Sequence, residues 1–173
     1  NTIGLPDDIY DVTPSELALR DRSALVAMGV GEDLIETVIN GQILSISMRH
    51  GIIGHLAKLP GAGRADVIQV AAGLEKPRQA AFLERALSAL EKRHLASPYV
   101  NVKSFGRLPA GITKDGIMEV VAPVDYVSWT EQIANFAKSD DSKGKRWLLI
   151  SGAMSSVAKE GFEAAGWKVY SLK

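Results

Sequence analysis

The sequence predicts a mixed α+β fold: an N-terminal helical subregion packed on a small mixed sheet that ends in a β-α-β unit. Three observations carry this. Residues 14–96 read as successive helices punctuated by glycine and proline. After Ser97-Pro98 the pattern changes to the two-residue alternation of strands, as in "YVNVKSF". Residues 146–172 then read strand, helix, strand. A chain of 173 residues suits one hydrophobic core, so residues 1–13 (an irregular lead-in), 14–96 (helical) and 97–173 (α/β) are expected to form one compact domain.

The helices are marked at their ends. Thr13-Pro14-Ser15-Glu16 supplies a cap, a proline at the first helical position and a glutamate able to reach back to the cap N–H. That helix should run to about Met28 and stop at Gly29, with Leu17, Leu25 and Met28 on one face. A second spans about 32–39, with Glu32 and Asp33 at its positive end and Asn40-Gly41 as the stop. Residues 42–59 begin with strand-like alternation and shift to helical spacing; helical neighbours favour a helix. Pro60-Gly61-Ala62-Gly63 is a loop, and a short helix follows over 64–72. A long helix opens at Pro77 with Phe82, Leu83, Leu87 and Leu90 as its apolar stripe. Lys92, Arg93 and His94 occupy its last turn, where positive charge complements the helix dipole.

In the second half, Lys114-Asp115-Gly116 is a turn between two short strands, so residues 99–122 predict a three-stranded meander. Ser128-Trp129-Thr130-Glu131 reads as a second capping box before a helix ending near Lys138. Residues 139–145 form a polar surface loop. The stretch "LLISGAMSSVAKEGFEAAGWKVY" then carries a strand, a helix over about 155–165, a glycine stop at Gly166 and a strand long enough apart for parallel pairing.

Composition removes several chemistries. Twenty Lys and Arg balance twenty Asp and Glu, and no basic run supplies the cationic surplus that phosphate neutralisation needs, so nucleic acid is not an expected partner. The absence of cysteine excludes disulfides, thiolate nucleophiles and Cys-ligated zinc. No stretch reaches the ~20 apolar residues of a transmembrane helix. The opening at Asn1 suggests a processed chain, which tips the expected location toward export or the periplasm over the cytoplasm.

The candidate ligand loop is 151–156. Gly152 allows close backbone approach, Ser151, Ser155 and Ser156 offer hydroxyls, and a helix N-terminus follows, which together suit a phosphate or carboxylate. Against this, the loop has a single glycine and no P-loop lysine, and a serine there also serves as an ordinary cap. Asp125 and Tyr126, with Glu131 beyond, are the candidate acid–base groups; Glu131 is also explained by capping and Asp125 by a turn after Pro123. His50 and His55 stand about 140° apart on a helix, with no carboxylate near them in sequence, so no metal site is expected. The G-x-S-x-G elbow is absent. Trp129, Trp147 and Trp167 fall at element edges and read as packing residues. The expected function is a non-catalytic binding or interaction module for a protein partner or a small anionic ligand, with no cofactor. The alternative is an enzyme acting on a phosphorylated or carboxylated small molecule at loop 151–156. The module predicts serines turned onto the helix N–H groups; the enzyme predicts a deep pocket where Asp125 meets the loop.

Overall fold

Helix formation follows the sequence punctuation closely. In the computed structural model, which describes residues 12–139 and 144–172, α1 runs Pro14–Ala27 and carries the expected capping box. The Glu16 carboxylate accepts from Thr13 N–H at 3.1 Å, and Thr13 Oγ1 accepts from Glu16 N–H at 3.3 Å. Gly29 ends it with φ +82°, a conformation that costs glycine little. Next come α2 (Glu32–Asn40), α3 (Ile46–Ala57), α4 (Arg64–Ala72) and α5 (Pro77–Ala96). The ambiguous stretch 42–59 resolves as a helix that starts only where Ser45 caps it, its Oγ accepting from Met48 N–H at 3.1 Å. The expected lead-in falls almost wholly outside the described residues, as do residues 140–143 of the polar loop.

The sheet is mixed. Strands β1 (Asn101–Phe105), β2 (Leu108–Ile112) and β3 (Met118–Ala122) form the antiparallel meander, while β5 (Arg146–Ile150) and β7 (Trp167–Ser171) add in parallel. The order is β1-β2-β3-β5-β7. Between them lie β4 (Tyr126–Val127), α6 (Glu131–Lys138), β6 (Ala153–Met154) and α7 (Ser156–Ala164). The two-residue strands β4 and β6 pair in parallel as a separate ribbon, which the sequence does not announce.

Side-chain alternation distributes the core to both sheet faces. Val121 of β3 and Leu149 of β5 join the helical layer, with Leu25, Ile52, Leu56, Leu83, Leu87 and Leu90. Val120, Leu148 and Ile150 point the other way, toward Ala137 of α6 and Ala158 and Phe162 of α7. Helices therefore cover both faces. Buried polar contacts tie the layers: Glu119 on β3 accepts from Arg93 of α5 at 2.7 Å and from the Tyr99 hydroxyl at 2.8 Å. Gly111 on β2 makes room for Tyr99, since a Cβ there would lie 2.5 Å from its ring. No described helix is long and apolar enough to cross a membrane.

One expected helix-end role is corrected. The N-cap of α6 is Thr130, whose Oγ1 accepts from Ile133 N–H at 3.2 Å, so Glu131 is the first helical residue and not the reciprocal partner of Ser128. Thr130 is itself extended, with φ −111° and ψ 167°, so the helix starts after it. His94 stands in the last turn of α5 as expected, and its Nδ1 receives Tyr99 N–H at 2.9 Å, closing the turn that leads into β1.

Candidate functional site

Loop 151–156 sits after β5, at the carboxyl end of the parallel strands. Two of its three serine hydroxyls are engaged by the chain. Ser151 Oγ donates to the Val124 carbonyl at 2.9 Å, and Ser155 Oγ accepts from Ala158 N–H at 3.1 Å as the N-cap of α7. Ser156 is the first helical residue and is exposed. Gly152 is held against backbone: a Cβ there would stand 1.8 Å from the Asp125 carbonyl oxygen. The β4–β6 ribbon supplies the reason. Ala153 N–H donates to Asp125 O and Ser155 N–H to Val127 O, each at 2.9 Å. Asp125 thus meets the loop through its main chain. Its carboxylate is exposed, as is the Tyr126 ring, and neither side chain hydrogen-bonds to another described residue.

The histidines do have carboxylate partners, contrary to the expectation from sequence proximity. His50 Nδ1 lies 2.7 Å from buried Asp21 of α1, which also accepts from Arg49 Nε at 2.8 Å. His55 stands between two acids of α5, with Nδ1 2.6 Å from Glu91 and Nε2 2.9 Å from Glu84. Burial pushes the Glu91 carboxyl up, but His55 and Lys58 outweigh it and hold the group below its ordinary range. Both clusters join α3 to a neighbouring helix. Among the described residues no group of three or more His, Asp or Glu is placed to hold a metal ion. Asp21 has a sequence signal after all: it lies four residues from both Leu17 and Leu25, on the buried stripe of α1. A carboxylate on such a stripe must be paired.

The tryptophans pack. Trp167 is buried and donates from Nε1 to the Ala137 carbonyl at 2.8 Å. Trp129 stands edge-on to Phe162 and covers Gly161. Trp147 lies against Tyr170 with ring centroids 4.7 Å apart, and its buried Nε1 has no partner among the described residues.

A recess of about 560 Å³ lies elsewhere at this end of the sheet. The antiparallel register sets the start of β2 beside the end of β3, which brings the β1–β2 turn over the carboxyl ends of the parallel strands. Ala122 and Leu148 form part of the sheet wall, Val124 and Val127 come from the segment after β3, and α5, α6 and α7 contribute Phe82, Phe136 and Phe162. Only Arg107 and Gln132 among the lining residues are polar. A second recess, about 480 Å³, shares Phe82, Arg107 and Leu108 and adds Arg78 and Arg85. The Arg85 guanidinium lies 5.9 Å from the Phe82 ring centroid. Neither Asp125 nor the loop serines line either recess. Phe82, assigned from spacing to the core stripe of α5, is instead half-buried on its flank. Nothing in the linear sequence marks Arg107 or Gln132, because the recess forms only when hairpin, α5 and α6 meet.

These features define a mixed α+β domain with helices on both sheet faces and an apolar recess at the carboxyl ends of its parallel strands. Comparison with protein-family models, with curated proteins and with solved structures gives no significant match.

Proposed function

We propose that this chain is a non-catalytic binding module that uses the recess beside β3 and β5. The observation that carries this reading is the recess lining: it is apolar apart from one guanidinium and one carboxamide, with no acid–base pair in it. Its volume falls within the range of about 300–1,000 Å³ common for small-molecule sites. The serine hydroxyls of the neighbouring loop that are engaged serve the fold, capping α7 and bonding Val124, which also supports binding over catalysis.

The test is a fragment screen by NMR on the intact chain. Apolar fragments should perturb Val124, Ile133 and Phe136, and Val124→Trp should abolish those shifts by filling the recess. Asp125→Asn and Ser156→Ala should leave them unchanged. Fragment binding or turnover that instead depends on Asp125 and Ser156 overturns the reading in favour of an enzyme at loop 151–156.

A further inference from the structure

We propose that the recess takes a small anionic amphiphile of the long-chain carboxylate class, its tail in the apolar hollow and its head on Arg78, Arg85 and Arg107. This rests on the binding-module reading above and names the ligand class. The two hollows meet along Phe82, Arg107 and Leu108, so an apolar wall passes directly into a group of three guanidiniums. None of these arginines forms an ion pair or a hydrogen bond with another described residue.

Three other guanidiniums are neutralised by acids, while Arg20 has no ion pair among the described residues and Arg64 Nε donates to the Gly61 carbonyl at 2.9 Å. Arg22 pairs with Glu32 and Glu36, Arg49 with Asp21, and Arg93 with Glu119. The acids of α5 are committed away from the recess, Glu84 to His55 and Glu91 to His55 and Lys58. Glu75, just before α5, makes no ion pair with Arg78. A chain of zero net charge thus keeps a local positive rim at the mouth of an apolar hollow, with no carboxylate in either lining. Such a rim favours a planar anionic head, since guanidinium groups bind carboxylates through paired N–H donors. Three arginines at a concave mouth suit a single head better than a bilayer, which calls for four to eight clustered basic residues.

The experiment is isothermal titration calorimetry on the intact chain with monomeric decanoate and dodecanoate. Dodecyltrimethylammonium, dodecanol, inorganic phosphate and phosphatidylglycerol vesicles serve as the comparison probes. Dodecanoate should bind about 15-fold more tightly than decanoate, from about fourfold per buried methylene. The tail-matched cation and dodecanol should each bind at least tenfold more weakly, and phosphate alone should not bind. Arg107→Glu should weaken dodecanoate about tenfold, as loss of one charge-assisted contact implies, with unchanged circular dichroism. Arg20→Glu, a reversal on α1, should have no effect. Equal binding of dodecanol and dodecanoate, blocked by Val124→Trp, overturns the ligand class while leaving the module reading standing. Binding to vesicles alone also overturns it, in favour of a membrane surface. No binding of any chain-bearing probe overturns both.

Discussion

Replacing Gly152 with alanine separates the two accounts of the loop after β5. If the glycine exists to let a ligand near the backbone, the substitution should cost binding and leave the fold intact. The structure predicts the reverse. The added Cβ would stand 1.8 Å from the Asp125 carbonyl oxygen, 2.2 Å from its carbon and 2.5 Å from its Cα. These are backbone atoms and cannot rotate away, so β4 and β6 must part. Two hydrogen bonds go with them, Ala153 N–H to Asp125 O and Ser155 N–H to Val127 O, each contributing about 1 kcal/mol net. Val127, 9% exposed, is also drawn partly from its core, and full burial of a valine contributes about 1.5 kcal/mol or more. The sum is about 2–4 kcal/mol. At ~2–4 °C per kcal/mol for a chain of this size, Tm should fall by about 5–15 °C. Calorimetry and urea unfolding of the two proteins, with m compared, measure it. A loss below about 0.5 kcal/mol would refute the close-approach argument, and with it the claim that this glycine serves strand pairing.

Ser155→Ala should cost about 1 kcal/mol by removing the cap of α7, and Ser155→Gly only a few tenths, read by chemical denaturation. Asp21→Asn leaves the buried Arg49 without its counter-charge and should destabilise by about 3 kcal/mol; an unchanged midpoint would deny the α1–α3 tie. Because the folded-state pKa of Glu91 lies below its unfolded value, its stabilisation is fully present above about pH 4.3. That contribution is lost as pH falls through the folded value, so Glu91→Gln should flatten the acid limb of the stability profile. Burial and the bond to Glu119 push the Tyr99 hydroxyl well up, despite opposition from Arg93. Its stabilising contribution is present below about pH 10 and fades above it, and the Tyr99→Phe difference spectrum should lack one late-ionising phenol.

Helix ends and strand alternation were legible because they are local. Thr13 with Glu16, Pro14, Pro77 and the glycines at 29 and 166 act within a turn of where they stand. The β-α-β unit over 146–171 follows from a period change and a stop signal. The failures are equally physical. The capping motif read at Ser128 stands two residues on, at Thr130, whose Oγ1 accepts from Ile133 N–H; two neighbouring hydroxyl residues offered the cap, and local pattern does not choose between them.

By itself, then, the sequence determined the order and kind of the longer elements, though not the two-residue strands β4 and β6, together with the zero net charge and the exclusion of thiol chemistry, since each depends on neighbours in the chain or on composition alone. Tertiary structure decided the partners. The carboxylates of His50 and His55 come from positions 29 to 36 residues away. The same holds for the recess, where a hairpin turn, the flank of α5 and the start of α6 converge. An apolar side chain buries against any apolar surface, so its pattern names a face. Which face it meets, and which arginines are left at the rim, is fixed only when strand register and helix packing bring distant residues together.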